Sequence, residues 1–235
     1  MTARPQDHKT ARQKKQRAVV LLSGGIDSAT TLYYAKNKGF KCFALIFDYG
    51  QRHKRELRSA VQIAKRAKVP YIIMKIKLPW KGSSLLDRSK KLPKGRSLEK
   101  MKKVIPSTYV PSRNMIFLSF AASYAEAIGA DTIFIGANAV DFSGYPDCRP
   151  SFYNAFRKVI KSGTKKKKIR ILTPLISMRK SEIIKLGQKL KAPLQKTWSC
   201  YAGGRKPCGV CDSCRIREMA MKALEVREGL KIIRQ

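Results

Sequence analysis

A six-residue string beginning at Ser23, with the sequence SGGIDS, combines the residue types needed to bind a phosphate group. Gly24 and Gly25 let the backbone turn sharply and approach an anion closely, and Ser28 adds a hydroxyl donor to that of Ser23. An apolar run precedes the string and a helical pattern follows it, so unpaired amides at a helix N-terminus would face the anion. Asp27 would repel a phosphate unless a cation lay between them, which indicates Mg²⁺ as a cofactor.

The nucleotide-binding segment is expected to include the end of the preceding strand and the first turns of the helix. No Gly-Lys-Ser/Thr follows, so this is not a Walker loop, and without a ligand it would be a serine-capped turn. The string resembles the PP-loop of ATP pyrophosphatases, and this resemblance implies that Asp27 and Ser28 are catalytic residues, because stabilising the departing phosphates is the main catalytic task of such a loop. The same resemblance implies ATP as the ligand, with the candidate ATP-binding residues Leu21, Leu22, Ser23, Gly24, Gly25, Ile26, Asp27, Ser28, Ala29, Thr30 and Thr31.

Four cysteines near the end of the chain have the spacing of metal ligands. Cys200, Cys208, Cys211 and Cys214 follow the pattern C-x₇-C-x₂-C-x₂-C, and four thiolates suit tetrahedral Zn²⁺. Because the protein supplies all four ligands, the zinc would be structural and would hold a loop-rich segment with few apolar residues. An iron–sulfur cluster is the alternative that four cysteines leave open. The clustering indicates metal binding in a reducing compartment rather than disulfides.

The elements that position these residues alternate between apolar strands and helices. Strands are predicted at 18–22, 41–47, 71–76, 132–136 and 169–172, with helical periodicity between them. This alternation predicts an α/β fold, Rossmann-like, in which helices flank a parallel sheet. The pattern is lost over residues 77–108, which are predicted to form a functional lid or to be disordered.

The chain is predicted to have three parts. Residues 1–17 form a basic flexible extension, 18–195 the nucleotide-binding α/β domain, and 196–235 a zinc-stapled C-terminal lobe with a final helix. No apolar run approaches the roughly 20 residues of a membrane span, and the basic start is not followed by the apolar stretch of a secretory signal. We therefore predict a cytoplasmic protein without a membrane contact.

The net charge is strongly positive. The 235 residues include 51 Lys and Arg but only 15 Asp and Glu, which gives a formal charge of +36. Such a charge attracts polyanions and steers anionic substrates. The charge therefore fits a weak electrostatic contact with RNA, but it also fits binding of ATP and a carboxylate substrate, which are anions too.

Two further strings make the pattern more specific. They are VPSRN at 110–114 and a glycine- and proline-rich string, GANAVDFSGYPDCRP, at 136–150. With SGGIDSAT, DYGQRH at 48–53 and the cysteine spacing, they resemble the 7-cyano-7-deazaguanine synthase (preQ0 synthase, QueC) family of PP-loop ATP pyrophosphatases, over about residues 19–217. The resemblance implies an adenine nucleotide α-hydrolase-like fold and a homodimer.

The resemblance also implies a reaction. It converts 7-carboxy-7-deazaguanine, ammonia and ATP into 7-cyano-7-deazaguanine, in queuosine or archaeosine biosynthesis. Adenylation would turn a carboxylate oxygen into a leaving group, ammonia would form an amide, and a second activation of the amide oxygen would give the nitrile.

Four residues in the two strings are candidates for contact with this substrate. Arg113 is a candidate catalytic residue because its guanidinium matches phosphate and carboxylate geometry; a surface arginine at a helix start is the alternative. Asp141, Asp147 and Arg149 follow a strand, where ligands bind in open parallel sheets. Aspartates can accept hydrogen bonds from a guanine-like base and an arginine can pair with its carboxylate, whereas turn formation is the alternative.

Two other functions compete with this interpretation. The charge and the cysteines also fit a PP-loop tRNA-modifying ligase or thiolase acting directly on RNA, but a sulfur carrier needs an exposed thiol and four cysteines here are predicted metal ligands. A zinc-stabilised nucleic-acid-binding protein would leave the SGGIDS string unexplained.

Overall fold

Five parallel strands form the central sheet. The computed structural model describes residues 15–97, 101, 104–138, 144–165 and 167–228. The strand order is β3-β2-β1-β4-β5, which confirms the predicted parallel α/β sheet. The strands are β1 Arg17–Leu21, β2 Lys41–Asp48, β3 Tyr71–Lys75, β4 Thr132–Phe134 and β5 Arg170–Leu172.

Six α-helices lying within the described ranges flank the sheet or follow it. The described helices are α1 Ile26–Asn37, α2 Arg55–Arg66, α3 Arg113–Ile128, α4 Pro150–Gly163, α5 Lys180–Lys189 and α6 Asp212–Glu228. Successive residues of a strand point to opposite faces, so Val19 joins the apolar cluster shared with α3 and α4, and Val20 joins the cluster shared with α1 and α2. Burial on both faces explains why β1 is apolar from Ala18 to Leu21.

The C-terminal helix packs against the rest of the fold. Ala220 and Leu224 of α6 share a buried cluster with Ile183 and Ile184 of α5 and with Ile26 at the start of α1. The division of the chain at residue 195 stays a prediction. None of the helices in the described ranges is both long enough and apolar enough to cross a membrane.

The segment between β3 and α3 is folded against its neighbours where it is described. The Arg52 amide donates to the Leu85 carbonyl oxygen over 2.8 Å, Lys94 forms a β-bridge with Cys211, and Arg96 pairs with Asp212 over 3.1 Å. These contacts connect the segment to the loop after β2 and to the cysteine-rich lobe, the part of the chain that contains Cys200 to Cys214. Its action as a lid stays a prediction.

Candidate functional site

A cavity of about 270 Å³ opens at the carboxyl ends of the central strands. Its wall includes Leu22 after β1, Phe47 at the end of β2 and Gly136 after β4. The order of the strands reverses between β1 and β4, and ligands of open α/β sheets bind outside the carboxyl ends of the strands at such a switch point. The topology therefore places the SGGIDS string, which follows β1, where a ligand is expected.

Two glycines allow three elements to meet beside this cavity. Gly24 has φ +88°, and a Cβ there would lie 2.3 Å from the Glu56 carbonyl oxygen, so the loop rests on the first turn of α2. A Cβ on Gly136 would lie 2.9 Å from the Asp27 carbonyl carbon, so the end of β4 lies against the first turn of α1. A side chain at either position would separate these elements.

The two serines of the loop are held together. The Ser23 and Ser28 hydroxyl oxygens are 3.0 Å apart, the Ser23 amide donates to the Ser28 hydroxyl over 3.2 Å, and that hydroxyl donates to the Gly25 carbonyl oxygen over 3.1 Å. Both serines line the cavity next to the N-terminus of α1. Hydroxyls and helix amides at one place can bind an anion such as phosphate.

Asp27 is paired with a lysine that the sequence did not single out. Lys180, at the start of α5, places its Nζ 2.6 and 2.7 Å from the two carboxylate oxygens, and the Asn138 amide donates to one of them over 2.5 Å. Both charged side chains are mostly buried, with exposed fractions of 18% for Asp27 and 15% for Lys180. A positive charge at the phosphate loop can stabilise a bound polyphosphate. Nothing in the sequence distinguishes Lys180 from the many other lysines.

The predicted ATP-binding segment divides into two groups. Its cavity-lining members are Leu21, Leu22, Ser23, Gly25, Ile26, Asp27 and Ser28. The remaining members, Gly24, Ala29, Thr30 and Thr31, lie outside the described wall. Gly24 packs on α2, and Thr30 faces α5, where its Oγ1 is 2.7 Å from the position of a Cβ on Gly187. Each helical residue rotates about 100° from the last, so the second turn of α1 faces the core instead of the cavity.

Arg113 lies in the cavity wall at the first position of α3. Its guanidinium donates to the Tyr49 hydroxyl over 3.1 Å and lies 5.7 Å from the centre of that ring. The hydrogen bond and the ring contact hold the guanidinium at the cavity, which is the position that the predicted role requires.

The three candidates in the loop after β4 have different surroundings. Asp147 is buried in the cavity wall, where its Oδ2 accepts the Asn114 amide over 2.9 Å and so caps the start of α3. Arg149 is exposed at the start of α4, outside the described wall of the cavity. Asp141 lies outside the described residues. Substrate binding by these residues stays a prediction.

Glu56 is a cavity residue that the sequence reasoning missed. It lies in the first turn of α2 and is half-buried. Burial raises the pKa of its carboxyl to about 7, and the nearby Arg113 charge opposes this shift. Its sequence context, KRELR, resembles the charged face of a surface helix, so only its contact with the SGGIDS loop reveals the position.

The four predicted metal ligands come together. The Sγ atoms of Cys200, Cys208, Cys211 and Cys214 all lie within 4.8 Å of one another. A hydrogen bond from Cys214 lowers the pKa of the Cys211 thiol to about 5, and the Cys208 amide donates to Cys200 Sγ over 3.3 Å. Sulfur atoms on a tetrahedral Zn²⁺ lie about 3.8 Å apart, so the donor set fits a closed four-thiolate metal site.

The cysteine-rich lobe also supports the phosphate loop. The Trp198 amide donates to the Gly24 carbonyl oxygen over 2.9 Å, and its indole N–H donates to the Cys200 carbonyl oxygen over 2.9 Å. The Arg55 guanidinium lies 4.7 Å from the Trp198 ring centre. Trp198 therefore connects the metal site, the loop and α2, and it lines the cavity itself.

Comparisons of the sequence with known proteins cover most of the chain. The family model described as "Queuosine biosynthesis protein QueC" matches residues 17–225. A 7-cyano-7-deazaguanine synthase from Trichodesmium erythraeum is 51% identical, over 91% of this chain and 99% of its own length. The synthase of that name from Thermoplasma volcanium is 50% identical, over 86% and 85%. Among solved structures, NMN synthetase from Francisella tularensis has a TM-score of 0.47 at 15% identity, over 95% of this chain and 90% of that one.

Proposed function

This chain belongs to the QueC family of queuosine biosynthesis proteins, and we propose that it converts 7-carboxy-7-deazaguanine, ammonia and ATP into 7-cyano-7-deazaguanine. The proposal extends to this chain the activity for which its relatives are named. The observation that supports it is that residues of the SGGIDS loop and Arg113 line the same cavity. Residues of the SGGIDS loop and Arg113 therefore face one site, as a reaction between a nucleotide and a carboxylate requires.

The phosphate end of the cavity would bind the pyrophosphate part of ATP. Ser23, Ser28 and the amides at the start of α1 supply hydrogen-bond donors, and Lys180 supplies a positive charge. Asp27 holds that lysine in place. Mg²⁺ would enter with the ATP phosphates, and Asp27 is the carboxylate of the loop that faces them.

The other end of the cavity would bind the deazaguanine. Arg113 can pair with the substrate carboxylate before activation and with the phosphate joined to it afterwards. Asp147 lies beside Arg113 in the wall and could accept hydrogen bonds from the base while it caps α3. Asp141 and Arg149 remain candidates for the part of the substrate outside the described wall.

The chemistry would proceed in two activations. A carboxylate oxygen is a poor leaving group, so transfer of AMP to it releases pyrophosphate and allows ammonia to displace AMP as the amide forms. A second transfer of AMP to the amide oxygen allows that oxygen to leave as the nitrile forms. Residues that stabilise departing phosphates serve both stages.

The metal site would hold Zn²⁺ in a structural role. Four cysteine ligands fill a tetrahedral site and leave no position for water, so this zinc would take no part in the reaction. It would fix the lobe that holds Trp198 against the SGGIDS loop. Elemental analysis distinguishes zinc from the iron of an iron–sulfur cluster.

The remaining assignments are partners and compartment. We propose a homodimer, by family, and a reducing compartment such as the cytoplasm, because the four thiols must stay reduced to bind metal. The charge of +36 favours a weak, salt-dependent contact with RNA.

A ligase or thiolase acting directly on RNA is not favoured. Such sulfur chemistry needs an exposed, ionised thiol. Burial raises the pKa of the Cys42 thiol to about 12, and Cys148 is buried with its sulfur accepting a hydrogen bond from Asn114 over 3.1 Å. The other four cysteines form the cluster that we propose binds metal.

The deciding experiment is incubation with ATP, ammonia and 7-carboxy-7-deazaguanine, with and without tRNA. We expect the nitrile, with AMP and pyrophosphate, whether or not tRNA is present. Product that appears only on tRNA, or no product with any of these substrates, would contradict the proposal.

A further inference from the structure

The nitrile product sets a requirement that the phosphate loop does not meet. Ammonia brings three N–H bonds, and the nitrile nitrogen retains none of them. Displacement of AMP from the acyl adenylate by ammonia gives the amide, AMP and one proton. Adenylation of the amide oxygen gives an O-adenylyl imidate, pyrophosphate and a second proton, and loss of AMP gives the nitrile and a third. A base in the cavity must therefore accept a proton at successive steps.

We propose that Glu56 is the general base that accepts these protons from the substrate nitrogen. The inference rests on the proposed function and adds a residue role that the sequence reasoning did not assign. In the first step the lone pair of ammonia forms the C–N single bond as AMP leaves, and the nitrogen then loses a proton. In the two later steps, the electron pair that stays on nitrogen when an N–H bond breaks allows a further C–N bond to form. The proton moves to the Glu56 carboxylate and then to water before the next step.

The position of Glu56 fits this role. Its backbone lies against Gly24 of the phosphate loop, and its side chain lines the cavity together with Arg113. It therefore lies between the place where AMP is transferred and the place where a carboxylate would bind. A group at that boundary can reach the nitrogen attached to the activated carbon.

The other carboxylates of the cavity are already engaged. Asp27 accepts hydrogen bonds from Lys180 and Asn138, and Asp147 caps α3. Among the residues that the structure describes, the Glu56 carboxylate has no hydrogen-bond or ion-pair partner. Its lone pairs are thus available to a substrate N–H.

The surroundings of Glu56 also suit proton transfer near neutral pH. Arg113 on α3 and Tyr49 after β2 act electrostatically with it, and Arg55 on its own helix lies over Trp198 instead. Burial outweighs the Arg113 charge, so the carboxyl has a pKa of about 7 and changes protonation close to the working pH. A base of this kind is active when deprotonated, so the rate should rise with pH through about 7 and then level off.

The test measures activation and proton transfer by separate assays. The proteins compared are the wild type and the variants Glu56→Gln and Glu56→Asp. Carboxylate-dependent exchange of labelled pyrophosphate into ATP, without ammonia, reports the first adenylation. Conversion of the 7-carboxamide of 7-deazaguanine to the nitrile, with ATP alone, reports the last two deprotonations without the titration of ammonium. Glu218→Gln, on the exposed side of α6, is the charge-matched control.

We expect Glu56→Gln to keep pyrophosphate exchange within about threefold and to lose amide conversion by at least about 100-fold. The rise of kcat/KM with pH in the wild type should vanish in Glu56→Gln and return in Glu56→Asp. Amide conversion within tenfold of the wild type, or a loss of exchange as large as the loss of conversion, would overturn the role as base. A wild type without carboxylate-dependent exchange would instead overturn the proposed function, and this inference with it.

Discussion

Replacement of Glu56 by glutamine should stabilise the protein, and more so as the pH rises. Burial raises the pKa of this carboxyl from 4.5 to about 7 in the folded state, whereas the unfolded chain returns it to the ordinary value. Between these two values the folded state binds the proton more tightly than the unfolded state. The wild type therefore loses stability as the pH rises through this window, and the cost is complete above about pH 7.

The expected magnitude follows from the difference between the two pKa values. One pKa unit corresponds to about 1.36 kcal/mol, so a change from 4.5 to about 7 corresponds to about 3 kcal/mol at high pH. The side chain is half-buried and faces a cavity, so screening by water should reduce this to about 2 kcal/mol. Glutamine carries no charge and avoids the cost. For a chain of this size, the Tm should rise by about 5 °C.

Urea unfolding of the wild type and Glu56→Gln at about pH 5.5 and 8.5 measures this effect, because most of the cost develops between these values. The difference in unfolding free energy between the two proteins cancels the contributions of groups that titrate equally in both. Glu218→Gln removes the same charge from an exposed position and should show a much smaller change with pH. A stability difference that is equal at both pH values, or that favours the wild type at high pH, would refute the buried-carboxylate reasoning.

Three other predictions, one of which includes a control substitution, test the rest of the site. Lys180→Met should lower ATP-dependent turnover, measured as AMP release, at least about 100-fold. The reason is that the polyphosphate loses a cation and Asp27 loses its partner. Normal turnover would contradict this role of Lys180. Gly24→Ala should destabilise the fold by about 3 kcal/mol, and the control Gly39→Ala by about 1 kcal/mol. Both glycines have positive φ, but only Gly24 lacks space for a Cβ. Equal effects of the two substitutions on urea unfolding would disprove the close approach of Gly24 to α2. Cys211→Ser should lower the metal content and reduce the Tm by roughly 5 °C or more; unchanged thermal unfolding without metal would remove the structural role.

Much of the fold is predictable because its signals are local. The five strands appear as short apolar runs and the intervening helices as periodic apolar positions, so the parallel sheet was predicted correctly. The cysteine cluster was predicted from spacing, since ligands three residues apart come together on a tight turn. The glycines of SGGIDS likewise mark a turn directly after a strand, which places it at the carboxyl end of that strand.

The residues that complete the site are not predictable in the same way. Lys180 meets Asp27 from 153 residues away, and Glu56 reaches the cavity only because α2 packs under Gly24. Thr30, a predicted ATP-binding residue, lies outside the described cavity wall, because the register of α1 turns its second helical turn toward α5. Such outcomes depend on tertiary packing, and a charged residue at a helix start has the same local pattern in a cavity as on the surface.

The position of the four-cysteine cluster indicates what a structural metal would contribute to this fold. The SGGIDS loop lies on the first turn of α2 on one side, and its Gly24 carbonyl oxygen accepts the Trp198 amide on the other. Trp198 is held in turn by its bond to the Cys200 carbonyl oxygen and by its packing against the cysteine cluster. Donors that stabilise a departing phosphate work best when they do not have to reorganise during the reaction. A metal held by these four cysteines would therefore support catalysis indirectly, by keeping the SGGIDS loop in one conformation.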